Sequence, residues 1–131
     1  MNIEYDNKFA KEISACPGGE NICLCYACGT CTASCPVSAL RGEYNPRRII
    51  RQALLGQRDE VLGSKELWLC SQCHACVAHC PQDVRFADIM RALRDLAVKN
   101  GYVKPEAASQ YAVLEEKLKK ERLEKLLEIQ G

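Results

Sequence analysis

Two segments of the chain place apolar residues at the spacing of an α-helix, with charged residues on the opposite side. The first segment runs from Asn45 to Gly56. Its apolar positions are Ile49, Ile50, Ala53 and Leu54. Asn45 is a favourable N-cap, Pro46 suits the first helical position, and Gly56 suits a left-handed stop. The pattern therefore predicts a capped helix between Asn45 and Gly56.

The second segment has the same period and ends before Gly101, a residue suited to a helix stop. Its apolar positions are Phe86, Ile89, Met90, Leu93, Leu96 and Ala97. They predict a second amphipathic helix over residues 86–98. Between the two helices, Ser64 is placed to cap a short helical turn that leads into Cys70.

From Pro105 onward the chain is rich in Glu, Lys and Leu, which predicts a long, charge-balanced helix with an imperfect apolar stripe. Three interpretations of this helix remain open. It packs on the domain and completes the core, it stays in solvent and is stabilised by Glu–Lys pairs, or its leucines bind in a groove of a partner protein. We therefore predict a first domain over residues 1–104. Residues 105–131 are predicted to be a C-terminal helical tail that docks on the core or on a partner.

One cysteine pattern, CxxCxxCxxxCP, occurs twice around these helices. The first cassette consists of Cys25, Cys28, Cys31 and Cys35, followed by Pro36. The second cassette consists of Cys70, Cys73, Cys76 and Cys80, followed by Pro81. A shift of 45 residues lays one cassette on the other. Bacterial ferredoxins hold [4Fe-4S] clusters with this spacing, and the fourth cysteine ligates the other cluster in two-cluster proteins.

The cassettes thus predict two [4Fe-4S] clusters with exchanged fourth ligands. The metal ligands of the first cluster are predicted to be Cys25, Cys28, Cys31 and Cys80, and those of the second Cys70, Cys73, Cys76 and Cys35. Because each cassette is followed by a helix, the predicted fold class is mainly α, an α-helical ferredoxin. With all eight thiolates used as ligands, no iron is open to a substrate, which indicates single-electron relay.

Zinc is the main alternative for CxxC pairs. A zinc ribbon, however, uses two such pairs separated by about 15–20 residues, and it leaves the third cysteine and both prolines unexplained. Cys16 and Cys23 lie outside the repeat. The spacing from Cys23 to Cys28 and Cys31 also matches a plant-type [2Fe-2S] centre. Since Cys25 already completes the repeat, both extra cysteines are interpreted as small buried thiols.

No substrate site is apparent: there is no Gly-rich nucleotide motif, no Ser/His/Asp arrangement and no acid–base pair with supporting context. No catalytic residue is therefore predicted. His74 and His79 are assigned to packing or to hydrogen bonds that tune a cluster, as are nearby hydroxyl groups. Arg47, Arg48 and Arg51 form a basic helix face, which is solvated or, as the second choice, docks an acidic partner.

The bulk properties exclude several classes. With 131 residues and a net charge of +1, the chain is one ordinary domain or two small lobes, and its total charge does not favour nucleic acid. No apolar run approaches the ~20 residues of a membrane span, and the charged N-terminal sequence does not resemble a secretory signal. A cytoplasmic location is therefore expected, in an anaerobic host because exposed clusters are oxygen-labile.

Beyond the cysteines, the sequence around both cassettes resembles the C subunit of heterodisulfide reductase over roughly residues 18–100. The shared features are Glu20-Asn21-Ile22, the first cassette from Cys25 to Val37, the segment NPRRIIRQALLG, Leu67-Trp68-Leu69-Cys70 and Cys80-Pro81-Gln82. The resemblance implies an α-helical ferredoxin fold with two [4Fe-4S] clusters. It also implies two partners: the flavin-containing, iron–sulfur A subunit, which supplies electrons, and the cysteine-rich B subunit, which reduces a disulfide such as that of coenzymes M and B.

Two other classes remain open. One is the iron–sulfur subunit of a flavin dehydrogenase of the succinate, glycolate or glycerol-3-phosphate type, although such subunits usually contain a further cluster or cysteine-rich domain. The other is a free ferredoxin, although free shuttles tend to be compact and strongly acidic. In either of the complex-forming classes the chain is an oxidoreductase subunit without a substrate site of its own.

Overall fold

The computed structural model describes residues 4–131, a part of the chain that contains eight α-helices, two 3₁₀ turns and no β-strand. The α-helices are α1 (Phe9–Ala15), α2 (Thr30–Ala33), α3 (Pro36–Leu40), α4 (Pro46–Leu54), α5 (Arg58–Leu62), α6 (Ala75–His79), α7 (Phe86–Lys99) and α8 (Pro105–Gln130). The 3₁₀ turns are Ile22–Leu24 and Lys65–Trp68. The prediction of a mainly α fold is confirmed. Residues 1–3 of the predicted first domain lie outside the described residues.

Helix α4 joins the two cassettes and has the predicted caps. The Asn45 Oδ1 atom accepts a hydrogen bond from the Arg48 N–H at 3.0 Å, and Pro46 is the first helical residue. Gly56 adopts a φ of +77° just past the helix end, as its predicted role requires. Ile49, Ile50 and Ala53 are buried, and Leu54 is half-buried against them.

Helix α7 is the central helix of the core. It packs against α1, α5, α6 and the 3₁₀ turn Lys65–Trp68, so it contacts elements from both halves of the chain. All six predicted apolar positions of this helix are buried. The helix ends at Lys99, one residue beyond the predicted limit, and Gly101 has a φ of +78°. The second cassette is therefore followed by a well-buried helix that supports it.

The N-terminal segment is fastened to the end of α4. The Asp6 N–H donates a hydrogen bond of 2.8 Å to the Gly56 carbonyl oxygen. Arg58 forms ion pairs with Asp6, at 2.8 Å, and with Glu12 of α1. The Arg58 guanidinium also lies 4.7 Å from the centroid of the Phe9 ring, which is fully buried. These contacts hold α1 on the body of the domain.

Asp88, in the first turn of α7, is a buried carboxylate that the sequence pattern did not predict. Its side chain is only 5% exposed and accepts hydrogen bonds from Arg85, at 2.8 Å, and from Arg91. His74 Nε2 lies 3.8 Å away. Burial acts to raise the pKa of Asp88, but the two arginines outweigh it and hold the pKa below its usual value of 3.8.

Replacing Asp88 by asparagine is expected to lower the stability at neutral pH by about 1 kcal/mol, because charged hydrogen bonds to two partly exposed arginines are lost. The pKa of this carboxylate is lower in the folded state than in the unfolded state. Its contribution to the free energy of unfolding is therefore complete when the pH is above the unfolded-state pKa, and it disappears as the pH falls through the folded-state pKa. Thermal unfolding of both proteins at several pH values measures this. The difference between them should shrink below a pH of about 4; a difference independent of pH would contradict the assignment.

Helix α8 extends from the domain and none of its residues is buried. Its first half touches the body at two places. The Tyr111 ring stacks on Trp68, with centroids 4.5 Å apart and an interplanar angle of 19°, and Glu115 lies 3.6 Å from Arg94. None of the described helices, α8 included, is long and apolar enough to cross a membrane. The division of the chain after residue 104 stays a prediction.

A chain that ends at Lys117 is expected to keep the unfolding midpoint of the full chain within about 2 °C, because the residues removed are exposed and contribute little. By contrast, Tyr111→Ala is expected to cost about 1 kcal/mol through loss of the stacked pair. Thermal melts of the cluster-loaded proteins compare the two. A larger loss from truncation than from Tyr111→Ala would show that the distal half of α8 stabilises the domain.

Candidate cluster-binding site

The two cassettes resemble each other in backbone conformation as well as in sequence. Within the first cassette Ala27 and Gly29 have φ values of +62° and +83°, and at the equivalent positions of the second cassette Gln72 and His74 have +56° and +63°. Left-handed conformations are rare for residues with a side chain. Their recurrence at matching positions shows that both cassettes fold the backbone in the same way at these positions.

The fourth cysteine of each cassette is in an extended conformation directly before a proline. Cys35 and Cys80 are extended, with ψ values of 121° and 120°, as expected for residues that precede proline. The helices inside the two cassettes, α2 and α6, pack against each other. Their pairing brings each fourth cysteine toward the opposite cassette.

Two cavities lie where the cassettes meet. The first is bordered by Cys25, Cys28 and Cys31 of the first cassette and by Cys80 of the second. The second is bordered by Cys35 of the first cassette and by Cys70, Cys73 and Cys76 of the second. The structure thus brings together the two predicted sets of four cysteines. Cys76 and Phe86 border both cavities, so the two sites share one wall.

Several polar groups already point at the cysteine sulfurs. The Ala27 N–H donates to Cys25 Sγ at 3.4 Å, and the Val84 N–H donates to Cys80 Sγ at the same distance. The Gln72 side-chain amide donates to Cys70 Sγ at 3.3 Å. These bonds suit thiolate sulfurs, which accept hydrogen bonds when they ligate iron.

The environment of the thiols differs between the deep and the exposed positions. Burial raises the pKa of Cys76 to about 11, and it also raises the pKa of Cys70 and of Cys31. At the exposed Cys28, a hydrogen bond with Thr30 lowers the pKa of the thiol. Since a metal ligand must be a thiolate, the deep thiols would have to release protons in order to bind a metal.

These cavities fit iron–sulfur clusters. Across residues 4–131, no three His, Cys, Asp or Glu side chains converge as the ligands of a single ion. The four cysteines of each set are instead distributed around a cavity, as ligands that each bind a different iron require. The second cavity also contains a buried hydroxyl group, that of Tyr44, without a hydrogen-bond partner in this part of the chain.

Neither of the two cysteines outside the cassettes is fully buried. Cys16 is half-buried, packs against the core and donates to the Glu12 carbonyl oxygen at 3.3 Å. Cys23 is exposed, and its nearest polar neighbour is the Ser14 hydroxyl at 3.8 Å. The prediction of a buried thiol was therefore wrong for Cys23, because the 3₁₀ turn that contains it buries Ile22 instead. Neither cysteine borders the two cavities.

Both histidines of the second cassette are exposed and bond to backbone oxygens. His74 Nδ1 lies 2.9 Å from the Gln72 carbonyl oxygen, and His79 Nδ1 lies 2.8 Å from that of Ala75. His74 borders the second cavity, whereas His79 borders neither. Their predicted tuning role stays a prediction.

The hydroxyl groups of the cassettes have distinct partners. Thr32 accepts from the Arg47 N–H at 3.1 Å and donates to the cap residue Asn45 at the same distance, which joins α2 to α4. Ser34 donates to the Cys31 carbonyl oxygen at 3.3 Å. Ser71 borders the second cavity. These bonds fix the loops around the cysteines.

The basic face of α4 is divided between two environments. Arg47 borders the first cavity, while Arg48 pairs with Glu66 and donates to the Glu43 carbonyl oxygen at 2.9 Å. Arg51 is exposed. Only part of this predicted face is therefore a simple solvated surface.

Arg94 is a supporting residue that the sequence pattern did not single out. From α7 it donates to the carbonyl oxygens of Leu67 and Cys70 at 2.7 and 2.9 Å, and its guanidinium lies 5.3 Å from the Trp68 ring centroid. Its side chain is only 12% exposed. The one sequence feature that could have indicated this role is the position of an arginine beside the apolar face of the helix. Arg94 holds the backbone that leads into the second cassette.

Comparison with known proteins agrees with this geometry. Residues 24–84 match the 4Fe-4S dicluster domain family, a range that contains both cassettes and α4. The chain is 40% identical over 100 residues to the C subunit of the H(2):CoB-CoM heterodisulfide,ferredoxin reductase of Methanothermobacter thermautotrophicus. That alignment covers 76% of this chain and 53% of the relative. The chain is a homologue of the heterodisulfide reductase C subunits.

Other proteins of this kind are similarly related. The iron-sulfur C subunit of the CoB--CoM heterodisulfide reductase of Methanopyrus kandleri is 49% identical over 79 residues, which are 60% of this chain and 41% of the relative. The C subunit of the ferredoxin:CoB-CoM heterodisulfide reductase of Methanosarcina mazei is 38% identical over 88 residues, 67% of this chain and 53% of the relative. This chain thus spans about half the length of the C subunits that it matches. The predicted resemblance and the iron–sulfur character of the domain are confirmed.

Proposed function

We propose that this homologue of the C subunit relays single electrons through two [4Fe-4S] clusters within a heterodisulfide reductase-like complex. The observation that supports this most directly is that each cavity is bordered by the first three cysteines of one cassette and by the fourth cysteine of the other. This arrangement supports two sets of four ligands with exchanged fourth members. The ligand sets are Cys25, Cys28, Cys31 and Cys80 for the first site, and Cys70, Cys73, Cys76 and Cys35 for the second.

The chain's own residues supply the scaffold for this relay. When bound, each cluster provides a site that takes up and gives up one electron at a time. The shared wall of Cys76 and Phe86 keeps the two sites adjacent, and the buried helix α7 supports it. Because four thiolates occupy each set, no coordination position remains for a substrate. The substrate chemistry then belongs to other subunits.

The two sites reach the surface at different cysteines. Cys28 of the first set and Cys73 of the second are exposed, whereas Cys70 and Cys76 are buried. Each site therefore has one edge from which electrons can pass to another protein. We propose that the electron source is a flavin-containing iron–sulfur subunit, and that the acceptor is a cysteine-rich, disulfide-reducing subunit. We further propose that residues 1–104 form the cluster domain and residues 105–131 a docking tail.

Anaerobic purification of the native complex, with its chains identified by peptide mass spectrometry, tests the proposal. Recovery together with two other chains, one flavin-binding and rich in clusters and one rich in cysteine, is the expected result. Recovery with a dehydrogenase flavoprotein and a quinone-reactive membrane subunit would instead assign the chain to the flavin dehydrogenase class. Recovery of the chain alone, loaded with clusters, would identify a free ferredoxin.

A further inference from the structure

The Tyr44 hydroxyl is a buried polar group that interacts with the Cys70 thiol but makes no hydrogen bond of good geometry within residues 4–131. The residue is 1% exposed, and its hydroxyl oxygen has no hydrogen-bond partner within the described chain. A buried hydroxyl without a partner is destabilising, so folded proteins rarely leave one. Its position beside the second cavity therefore requires an explanation.

The backbone around Tyr44 fixes where the ring lies. The Tyr44 N–H donates to the Arg41 carbonyl oxygen at 2.9 Å, and its own carbonyl oxygen accepts from the Ser38 hydroxyl at 2.8 Å. Tyr44 also precedes the cap residue Asn45 and the start of α4. The ring is held from both sides in the chain, so it cannot easily turn its hydroxyl to solvent.

The surroundings of the hydroxyl supply few alternatives to a bound group. Apart from the cysteines, the second cavity is bordered by the apolar side chains of Val37, Phe86 and Ala87, and by the exposed residues Ser71 and His74. A hydroxyl in a mostly apolar cavity, among four thiols, faces sulfur as its available acceptor. Thiolate and sulfide sulfurs of iron–sulfur clusters accept such bonds.

We propose that Tyr44 donates a hydrogen bond to a sulfur of the cluster at the second site, either a sulfide or the Cys70 thiolate, and thereby raises the reduction potential of that cluster. The inference rests on the proposed function, because it requires a cluster between Cys35, Cys70, Cys73 and Cys76. Reduction adds negative charge to the sulfurs, and a hydrogen bond stabilises the more negative state. Tyr44 thus makes the cluster at the second site easier to reduce.

The other buried polar atom without a partner in residues 4–131 is Gln72 Oε1, the acceptor of an amide that donates to Cys70 Sγ and to the Ala87 carbonyl oxygen. A hydrogen bond between Tyr44 and Gln72 would satisfy both atoms without involving sulfur. Such a pairing would affect stability but would leave the potential of the cluster nearly unchanged. The potential therefore separates the two cases.

The test compares Tyr44→Phe with the unchanged chain after anaerobic cluster reconstitution. Redox titration followed by electron paramagnetic resonance measures both midpoint potentials. Cys73→Ser identifies which signal belongs to the second site, because it alters an exposed ligand of that site alone. Tyr102→Phe is the matched control, since its hydroxyl bonds to Asp59 and borders neither cavity.

Tyr44→Phe is expected to shift the midpoint potential of the second site to a more negative value and to leave the first unchanged, while Tyr102→Phe moves neither. If Tyr44→Phe binds both clusters and the potential of the second site is unchanged, the inference is overturned. An unchanged potential together with a lower thermal unfolding midpoint would indicate that Tyr44 pairs with Gln72 instead. Failure of the unchanged chain to bind a second cluster would instead refute the proposed ligand sets, a result distinguishable by iron and sulfide analysis.

Discussion

Replacing Cys80 by alanine is expected to remove the cluster at the first site, although Cys80 belongs to the second cassette. The reason is that Cys80 borders the cavity formed by Cys25, Cys28 and Cys31. Iron content should fall from about eight to about four atoms per chain, because one of two four-iron clusters is lost. Anaerobic reconstitution followed by iron, sulfide and resonance measurements gives both the number and the identity of the remaining clusters.

The identity of the remaining signal is the decisive readout. The spectrum left by Cys80→Ala should match that left by Cys25→Ala, whereas Cys35→Ala and Cys70→Ala should leave the other spectrum. Cys23→Ala, at an exposed cysteine that borders neither cavity, should retain both clusters. If Cys80→Ala left the same spectrum as Cys70→Ala, the ligands would not be exchanged. Serine replacements serve where an alanine variant does not fold, because serine retains a weak ligand.

Gly56→Ala is expected to destabilise the domain by about 3 kcal/mol, the second large effect. Gly56 has a φ of +77°, and an added Cβ would overlap the backbone of Asp6. The change thus combines left-handed strain with a steric conflict that backbone atoms cannot easily relieve. The unfolding midpoint of the cluster-loaded protein should fall by roughly 10 °C. Calorimetry under anaerobic conditions, at one fixed scan rate, measures the shift.

Substitutions at two other glycines distinguish the cost of left-handed backbone strain from the cost of steric overlap. Gly101 has a φ of +78° but no heavy atom within 4 Å of an added Cβ, so Gly101→Ala tests strain alone, at about 1 kcal/mol. Gly42 has neither feature, and Gly42→Ala should be close to neutral. Equal effects at Gly56 and Gly101 would mean that the Asp6 segment moves away without cost. The close contact would then contribute nothing to the attachment of α1.

The long elements of this fold were predictable because their signals are local. Helix α4 has a side-chain cap, a proline and a stop glycine within its own sequence, and α7 has a complete apolar stripe. The short helices α1, α3 and α5 have no comparable signal. Helices of this length are not stable alone and form because tertiary contacts hold them. The cassette helices α2 and α6 likewise depend on the backbone turns around the cysteines.

The grouping of the cysteines could be predicted from the sequence, but the surroundings of the candidate site could not. Cysteine spacing depends on cluster geometry, so the sequence predicts two sets of four cysteines, and each set borders one cavity. Arg94 bonds to backbone groups that are more than 20 residues away in the sequence. Nothing local marks Tyr44 or Asp88 as buried. The exposure of Cys23 depends on which residue of a short 3₁₀ turn faces the core. A one-residue change in that orientation is beyond what hydrophobic patterning resolves.

The proposed exchange of fourth ligands between the cassettes also has a consequence for the synthesis of the protein. With the proposed ligand sets, the second site lacks a ligand until Cys76 has been synthesised, and the first lacks one until Cys80 has. Neither cluster can therefore be fully ligated while only the first cassette has emerged from the ribosome. Both sites become complete within a few residues of each other, just before α7 is translated. Cluster delivery is thus expected to be a late, nearly simultaneous event that coincides with folding of the core around α7.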